Sequence, residues 1–344
     1  MKCAIFKGPH EFRIIERETP VIDEGKALIK VMASGICGSD VHPYLGEGIE
    51  RRKPGIVMGH EAAGIVEEAG TTKFRKGDRV AINPQIYCGE CRQCKTASNN
   101  LCDNMRMIGS SKSKFLDGAM CQYISLAEDQ LFKLPDNVSF EEGSMLDPVG
   151  NAFRVVRRGG VGVGDTVVVI GCGTIGLVTI QTARIAGAAK VIAVDISDYK
   201  LGIGQTLGAD ECINSGTMGA AERILDLTGG AGADVVIEAA GLQQTYELAV
   251  SVCKKKGNIV ALGYIGRYTN FPIQDLIFKE ISLIGSTGYY EESGMVLDYI
   301  SKGAVRLDKI ITHKLPLKEI KKGFDLLLSP KGNAIKVIIK PNEE

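Results

Sequence analysis

Residues 165–176 read Asp-Thr-Val-Val-Val-Ile-Gly-Cys-Gly-Thr-Ile-Gly, and this stretch decides the fold of the central part of the chain. Its first half is a nearly continuous apolar run, as expected for a strand in a parallel sheet that is covered on both faces. Its second half has the spacing G-x-G-x-x-G, and an apolar helical pattern then runs to Ala186. A strand, a glycine-rich turn and a helix in this order form the context in which this motif binds a dinucleotide.

Each residue of the glycine motif has a physical role. Gly171 permits the tight turn, Gly173 lets the backbone approach a pyrophosphate, and Gly176 lets the helix and the strand pack closely. Thr174 and Ile175 begin the helix, whose N-terminal N–H groups are free to bind the phosphates. We therefore predict that these five residues contact the cofactor.

Asp195 closes the next apolar run, at nineteen positions after Gly176. A carboxylate at this place accepts hydrogen bonds from both ribose hydroxyls and repels a 2′-phosphate, which favours NAD over NADP. Lys200 is close enough in sequence to reach the ribose, and a solvated helix cation is an equally good interpretation of it.

Strands and helices continue to alternate on the C-terminal side of this motif, which is typical of a βαβ array. Strand-like runs occur at 190–194, 234–238 and 258–262, with helical patterns between them. We predict an α/β protein in which residues 151–285 form a Rossmann domain with a doubly wound parallel sheet.

The two flanking regions have a different pattern. Residues 1–150 contain short strand-like runs at 27–33, 62–70 and 78–82, punctuated by Gly and Pro, which favours a β-rich, partly open barrel. Residues 286–344 return to short elements and are predicted to rejoin this first domain.

The composition excludes several classes of partner. Forty-one basic and 41 acidic residues give a net charge of zero, so neither nucleic acid nor an anionic membrane is an expected partner. The N-terminus lacks the apolar region of a signal peptide, and no run of about 18 apolar residues is present. Ten cysteines without a signal peptide favour a reducing cytoplasm over a disulfide-bonded exported protein.

Four of these cysteines, Cys88, Cys91, Cys94 and Cys102, have the spacing C-x2-C-x2-C-x7-C. Four thiolates this close in sequence can surround one ion, which is the closed geometry of structural zinc. The seven-residue gap differs from the compact iron–sulfur spacing. Reduced cysteines without metal remain the alternative.

Two further motifs lie upstream: Gly-Ile-Cys-Gly-Ser-Asp at 35–40 and Gly-His-Glu at 59–61. With the four cysteines and the glycine motif, in this order, the chain resembles the zinc-containing medium-chain alcohol dehydrogenases over essentially its whole length. The resemblance implies a GroES-like catalytic domain before the Rossmann domain, and a homodimer or homotetramer.

The resemblance also implies a catalytic zinc held by Cys37 and His60, with Glu61 and Asp147 completing or bordering its shell. One thiolate, one imidazole and one carboxylate nearly neutralise Zn²⁺ and leave a position open. An alcohol that enters this position loses its proton more readily and passes hydride to the nicotinamide. Asp147 stands where polyol-oxidising relatives usually have Glu, and its shorter reach favours a role through a zinc-bound water.

A proton relay is implied by the same resemblance. Ser39 is the first acceptor of the alcohol proton, and the relay continues through the nicotinamide ribose to His42, since an imidazole titrates near neutral pH.

The substrate is the least determined property. Segments at 81–84 and 102–110 resemble polyol dehydrogenases of the sorbitol and idonate type, whereas segments at 147–152 and 311–314 resemble threonine 3-dehydrogenases. We expect a polyol or a sugar acid, with threonine as the alternative. The alternative of another class is a non-catalytic or zinc-independent nucleotide-binding protein.

Overall fold

The computed structural model describes residues 1–217, 219–263, 270–329 and 332–343. These residues form two compact units. The first unit comprises Met1–Asp147, Tyr290–Gly303 and Ile311–Glu344, and the second comprises Pro148–Tyr289 and Ala304–Ile310.

The N-terminal part of the first unit is rich in short strands. Its strands are β1 (Lys2–Gly8), β2 (Glu11–Glu16), β3 (Lys26–Gly35), β4 (Glu61–Ala69), β5 (Arg79–Ile82), β6 (Gln85–Ile86), β7 (Arg106–Met107), β8 (Tyr123–Ala127) and β9 (Leu131–Lys133). Its helices are α1 (Gly38–Tyr44), α2 (Arg92–Lys95) and α3 (Phe140–Gly143), with 3-10 turns at Ile49–Arg51, Asn99–Leu101 and Glu128–Gln130.

Helices and strands then alternate. The elements are α4 (Leu146–Gly159), β10 (Thr166–Ile170), α5 (Thr174–Ile185), β11 (Lys190–Asp195), α6 (Asp198–Thr206), β12 (Glu211–Asn214), α7 (Ala220–Leu227), β13 (Ala233–Glu238), α8 (Gln243–Val252), β14 (Cys253–Ala261), α9 (Ile273–Lys279) and β15 (Ser282–Gly285). The chain ends with α10 (Ser293–Ser301), β16 (Ile311–Pro316), a 3-10 turn (Leu317–Glu319), α11 (Ile320–Leu328) and β17 (Lys336–Lys340).

The second unit is built on a six-stranded parallel sheet with the order β12-β11-β10-β13-β14-β15. Its central strands are buried, with Val168, Ile192 and Val236 at 0% exposure. The strand order reverses between β10 and β13, so the carboxyl end of β10 lies at a topological switch point, where open α/β sheets bind their ligands. The fold class predicted from the sequence is confirmed.

The sequence pattern missed part of this sheet. The strand β12 and the helix α7 lie between α6 and β13, in a stretch for which no element was predicted. Of the four residues of β12, only Ile213 is fully buried, so the apolar run that reveals a central strand is absent there.

The first unit contains a seven-stranded sheet with the order β16-β17-β3-β4-β5-β9, in which β8 also pairs with β3. The strands β3 and β4 are antiparallel, and their register places Gly35 opposite Glu61. The strand β17 pairs antiparallel with β3 next to the same end, with Ile338 opposite Gly35. Three segments that are distant in sequence therefore meet at the end of β3.

Residues 304–310 group with the second unit, and Arg306 among them is bonded to Gln181 on α5. Its backbone N–H donates to Gln181 Oε1 at 2.8 Å, and Gln181 Nε2 donates to its carbonyl at 3.0 Å.

Among the described residues, no helix has both the length and the apolar character that crossing a membrane requires.

Candidate metal and nucleotide sites

The four cysteines of the C-x2-C-x2-C-x7-C motif meet in the first unit. The sulfur–sulfur distances are 3.5 Å for Cys91–Cys94 and Cys88–Cys102, 3.9 Å for Cys91–Cys102 and 4.0 Å for Cys88–Cys94. A tetrahedral zinc ion with Zn–S bonds of about 2.3 Å places its sulfurs about 3.8 Å apart. The four side chains therefore fit one zinc ion.

Backbone N–H groups favour the thiolate form of two of the cysteines, Cys88 and Cys91. Cys88 follows β6 and Cys91 precedes the first residue of α2. The N–H of Cys91 donates to Cys88 Sγ, and the N–H of Cys88 donates to Cys102 Sγ, both at 3.4 Å. Backbone donors, that of Cys91 first, lower the pKa of Cys88 to about 6. Because zinc binds the thiolate, these donors prepare the loop for metal.

A second cluster of metal-binding groups lies at the end of β3. Cys37 follows β3, while His60 and Glu61 lie at the start of β4, so the β3–β4 register brings them together. Their ligand atoms all lie within 4.8 Å of one another. His60 and Glu61 are 3% and 1% exposed, and Cys37 is half-buried. One thiolate, one imidazole and one carboxylate supply three protein ligands, which fit a zinc site that keeps an open position.

Asp40 and Arg52 surround His60 with buried charge, and the sequence analysis assigned neither a role. Asp40 Oδ1 accepts from Arg52 Nε at 2.9 Å, and Asp40 Oδ2 lies 3.5 Å from His60 Nδ1. Burial opposes ionisation of Asp40, but the charges of His60 and Arg52 outweigh it and lower the pKa of Asp40. Arg52 Nη2 also lies 3.4 Å from His60 Nδ1, so both buried charges face this nitrogen and leave Nε2 free for a metal.

The proton on His60 is linked to metal binding. Burial favours the neutral ring, but Asp40 and then Cys37 raise the pKa of His60 well above its usual value. A metal ligand must be a neutral imidazole, so zinc binding displaces this proton.

Lys336 is a third charged side chain beside the metal cluster that the sequence analysis missed. It begins β17, is 2% exposed, and forms an ion pair with Glu61 Oε2. Its ammonium also donates to the carbonyl of Ile36 at 3.0 Å. Burial lowers the pKa of a lysine, but Glu61 and Cys37 outweigh it and raise the pKa of Lys336. The sequence feature that could have revealed it is a lysine inside the otherwise apolar run 334–339, because a charged residue in a buried strand needs a partner of opposite charge.

The remaining predicted residues of this site lie close by or at its edge. Ser39 and His42 are on α1, one turn apart. His42 is 35% exposed, and its Nδ1 lies 3.0 Å from Glu47 Oε2. Asp147, at the start of α4, is not part of the Cys37–His60–Glu61 cluster found among the described residues. Its charge is close enough to contribute to the raised pKa of Lys336.

The glycine motif has the predicted conformation in the second unit. Gly171 has a φ of +98°, and it follows β10 with its N–H bonded to the carbonyl of Val194 at 2.8 Å. A side chain at Gly176 would collide with the carbonyl of Gly171, so only glycine fits there. Gly173 precedes α5 and has open space where a side chain would be, so the backbone there is accessible to a ligand.

Asp195 ends β11 beside this turn. Its Oδ2 accepts from the backbone N–H of Cys172 at 2.7 Å, and its Oδ1 accepts from that of Ser197 at 2.9 Å. Lys200 lies on the first turn of α6 and is half-buried, and its charge acts on Cys172. Both residues therefore lie next to the glycine motif.

The comparisons with known proteins agree with this geometry. Residues 23–136 match the alcohol dehydrogenase GroES-like domain, and residues 174–302 match the zinc-binding dehydrogenase family. Sorbitol dehydrogenase 2 of Saccharomyces cerevisiae is 36% identical over 96% of this chain and 95% of its own. The chain belongs to the zinc-dependent medium-chain alcohol dehydrogenases. It is therefore an oxidoreductase.

Other members of this dehydrogenase family differ in their substrates and cofactors. L-threonine 3-dehydrogenase of Bacillus velezensis is 33% identical over 98% of this chain and 97% of its own. A solved zinc-binding dehydrogenase from Sinorhizobium meliloti, bound to NADP, has a TM-score of 0.91 and 29% identity, with 99% of each chain covered. Family membership therefore leaves the substrate and the choice between NAD and NADP to the chain's own residues.

Proposed function

We propose that this protein is a dehydrogenase that oxidises a secondary alcohol of a polyol or sugar acid, with zinc at Cys37, His60 and Glu61 and with NAD as the hydride acceptor. The observation that carries this proposal is the meeting of one thiol, one imidazole and one carboxylate within 4.8 Å. When bound, the zinc ion polarises the substrate hydroxyl and the nicotinamide accepts the hydride.

The chain's own residues position the metal and move the proton. Asp40 orients His60, and Lys336 holds Glu61 by an ion pair. Ser39 Oγ accepts the hydroxyl proton while its own hydroxyl proton moves on toward His42, and the imidazole of His42, which is 35% exposed, releases a proton to water.

The proposal that the cofactor is NAD rests on Asp195. Its carboxylate lies at the end of β11 and is tied to the glycine motif through Cys172. A negative charge there repels the 2′-phosphate of NADP and accepts hydrogen bonds from the hydroxyls of NAD. Because a similar solved structure is bound to NADP, the proposal of NAD rests on Asp195 of this chain and not on family membership.

A polyol is the first candidate substrate because a sorbitol dehydrogenase is among the relatives with 36% identity. L-threonine is the second candidate, since a threonine 3-dehydrogenase is 33% identical over nearly the whole chain. Both molecules carry a secondary hydroxyl beside another polar group.

A substrate panel tests the proposal. Sorbitol, xylitol, idonate, polyol phosphates and L-threonine are each offered to the zinc-loaded protein with NAD, and NADH is measured by its absorbance. We expect the highest kcat/KM for a polyol or sugar acid and no turnover in a Cys37→Ser variant. A preference for threonine would replace the first candidate with the second, and no turnover of any alcohol would favour a non-catalytic nucleotide-binding protein.

A further inference from the structure

Cys3 and Cys121 form a thiol pair that neither zinc cluster uses. They lie opposite each other in an antiparallel bridge between β1 and the segment 118–122. Beside this bridge, Ala4 N–H donates to the carbonyl of Met120 at 3.0 Å, and Gln122 N–H donates to that of Lys2 at 3.0 Å. Because these hydrogen bonds flank the pair, the cysteines occupy a non-hydrogen-bonded position, where Cα atoms lie about 4.5 Å apart and side chains share a face.

This arrangement meets the requirements of a disulfide. A disulfide needs Cα atoms about 4.4–6.8 Å apart, and the non-hydrogen-bonded position satisfies this range. Both cysteines are free thiols in the structure, and Cys3 and Cys121 are 0% and 3% exposed. Because the bridge already pairs Cys3 with Cys121, bond formation requires side-chain rotation and no change of strand register.

We propose that Cys3 and Cys121 are a redox-active dithiol, which a peroxide or a low-molecular-weight disulfide converts into a reversible intramolecular disulfide.

Cys3 is the sulfur that reacts first. The neighbouring Cys121 thiol outweighs burial and lowers the pKa of Cys3, and Arg17 acts in the same direction. The neighbouring Cys3 and burial raise the pKa of Cys121, which stays a thiol. Lys2 is exposed and Met1 is half-buried, so opening of the first residues of β1 gives a small oxidant access to Cys3.

With hydrogen peroxide, the Cys3 thiolate attacks one oxygen, an S–O bond forms and the O–O bond breaks, and hydroxide leaves. The sulfur of Cys121 then attacks the Cys3 sulfenic acid, the S–S bond forms and the S–O bond breaks. Two thiols and one peroxide give one disulfide and two molecules of water. With a small disulfide, Cys3 forms a mixed disulfide and Cys121 resolves it, which releases two small thiols.

The cross-link lies beside the segment that leads to His60. Gly118 N–H donates to the carbonyl of Val57 at 2.7 Å, and Ala119 N–H donates to that of Gly59 at 2.9 Å. The strand β1 is bridged to this same segment, with Ile5 opposite Val57. A Cys3–Cys121 disulfide therefore ties together the two backbone segments that flank residues 57–59.

Mass spectrometry of the zinc-loaded, full-length protein tests the proposal. The protein is treated with hydrogen peroxide or oxidised glutathione, free thiols are alkylated, and peptides are mapped without reduction. We expect a cross-linked peptide pair containing Cys3 and Cys121 that dithiothreitol separates. The oxidised protein should melt about 5–15 °C above the reduced protein.

Cys3→Ser and Cys121→Ser should each abolish both the cross-link and the rise in melting temperature, whereas the control Cys212→Ser should retain both. The wild-type peptide map decides the question even if a variant fails to fold. Recovery of Cys3 and Cys121 as free thiols, while zinc-ligating cysteines are oxidised, would overturn the proposal.

Discussion

Replacing Asp195 with serine is expected to reduce the preference for NAD over NADP by at least about 100-fold. The carboxylate is held beside the glycine motif by the N–H groups of Cys172 and Ser197, at 2.7 and 2.9 Å. Two unit charges 4 Å apart interact by about 4 kcal/mol at an effective dielectric constant of about 20. Hydrogen bonds to a charged group contribute about 1.5–3 kcal/mol. A free-energy difference of 1.4 kcal/mol changes a binding ratio about tenfold. The loss of both the ribose acceptor and the repulsive charge should therefore change the NAD-to-NADP preference by more than about 100-fold.

The assay compares kcat/KM for NAD and for NADP with one alcohol substrate. Asp198→Ser is the matched control, since this exposed carboxylate lies three residues further along and accepts from Asn214 Nδ2 at 2.6 Å, away from the glycine motif. We expect the control to leave the ratio unchanged. Equal use of NAD and NADP by the wild type, or an unchanged ratio in Asp195→Ser, would refute the role of Asp195.

Two further predictions concern the metal-site residues. Lys336→Met should destabilise the metal-free protein by about 3–5 kcal/mol, because Glu61 is then buried without a cation. It should also weaken zinc retention about 10–100-fold. Lys340→Met, in the same strand, should lower the melting temperature alone. Full zinc retention in both variants would show that Lys336 has no role at the metal. His42→Ala should slow alcohol oxidation most at low pH, where hydroxide cannot replace the imidazole. Ser39→Ala should lower kcat by about 10²–10⁴-fold. Near-normal pH–rate profiles in both variants would exclude the relay.

The sequence predicted those parts of the two sites whose residues are close together in the chain. The spacing of the four cysteines and of the glycine motif places the groups on one short segment each, so their geometry follows from local backbone structure. The carboxylate of Asp195 was predicted in the same way, because the end of β11 is adjacent to the end of β10 in a parallel sheet.

The buried charges around the metal cluster could not be predicted in this way. Lys336 and Glu61 are 275 residues apart, and only the pairing of β17 and β4 with β3 brings them together. Arg52 lies in the charged run at 50–53, whose pattern is that of a solvated surface, yet Arg52 and its partner Asp40 are 2% and 0% exposed. Such contacts depend on tertiary structure, which single-sequence patterns do not report.

The zinc content of the purified, fully loaded protein tests the central claim most directly. The part of the chain that the structure describes contains two separate clusters of ligands, which predict two zinc ions per chain. Cys37→Ser should retain one zinc and its fold but lose turnover, because the open site is catalytic, whereas Cys94→Ser should lose the other zinc and be less stable, because the closed site ties a loop. One zinc ion per wild-type chain, or normal alcohol oxidation by Cys37→Ser, would contradict the account.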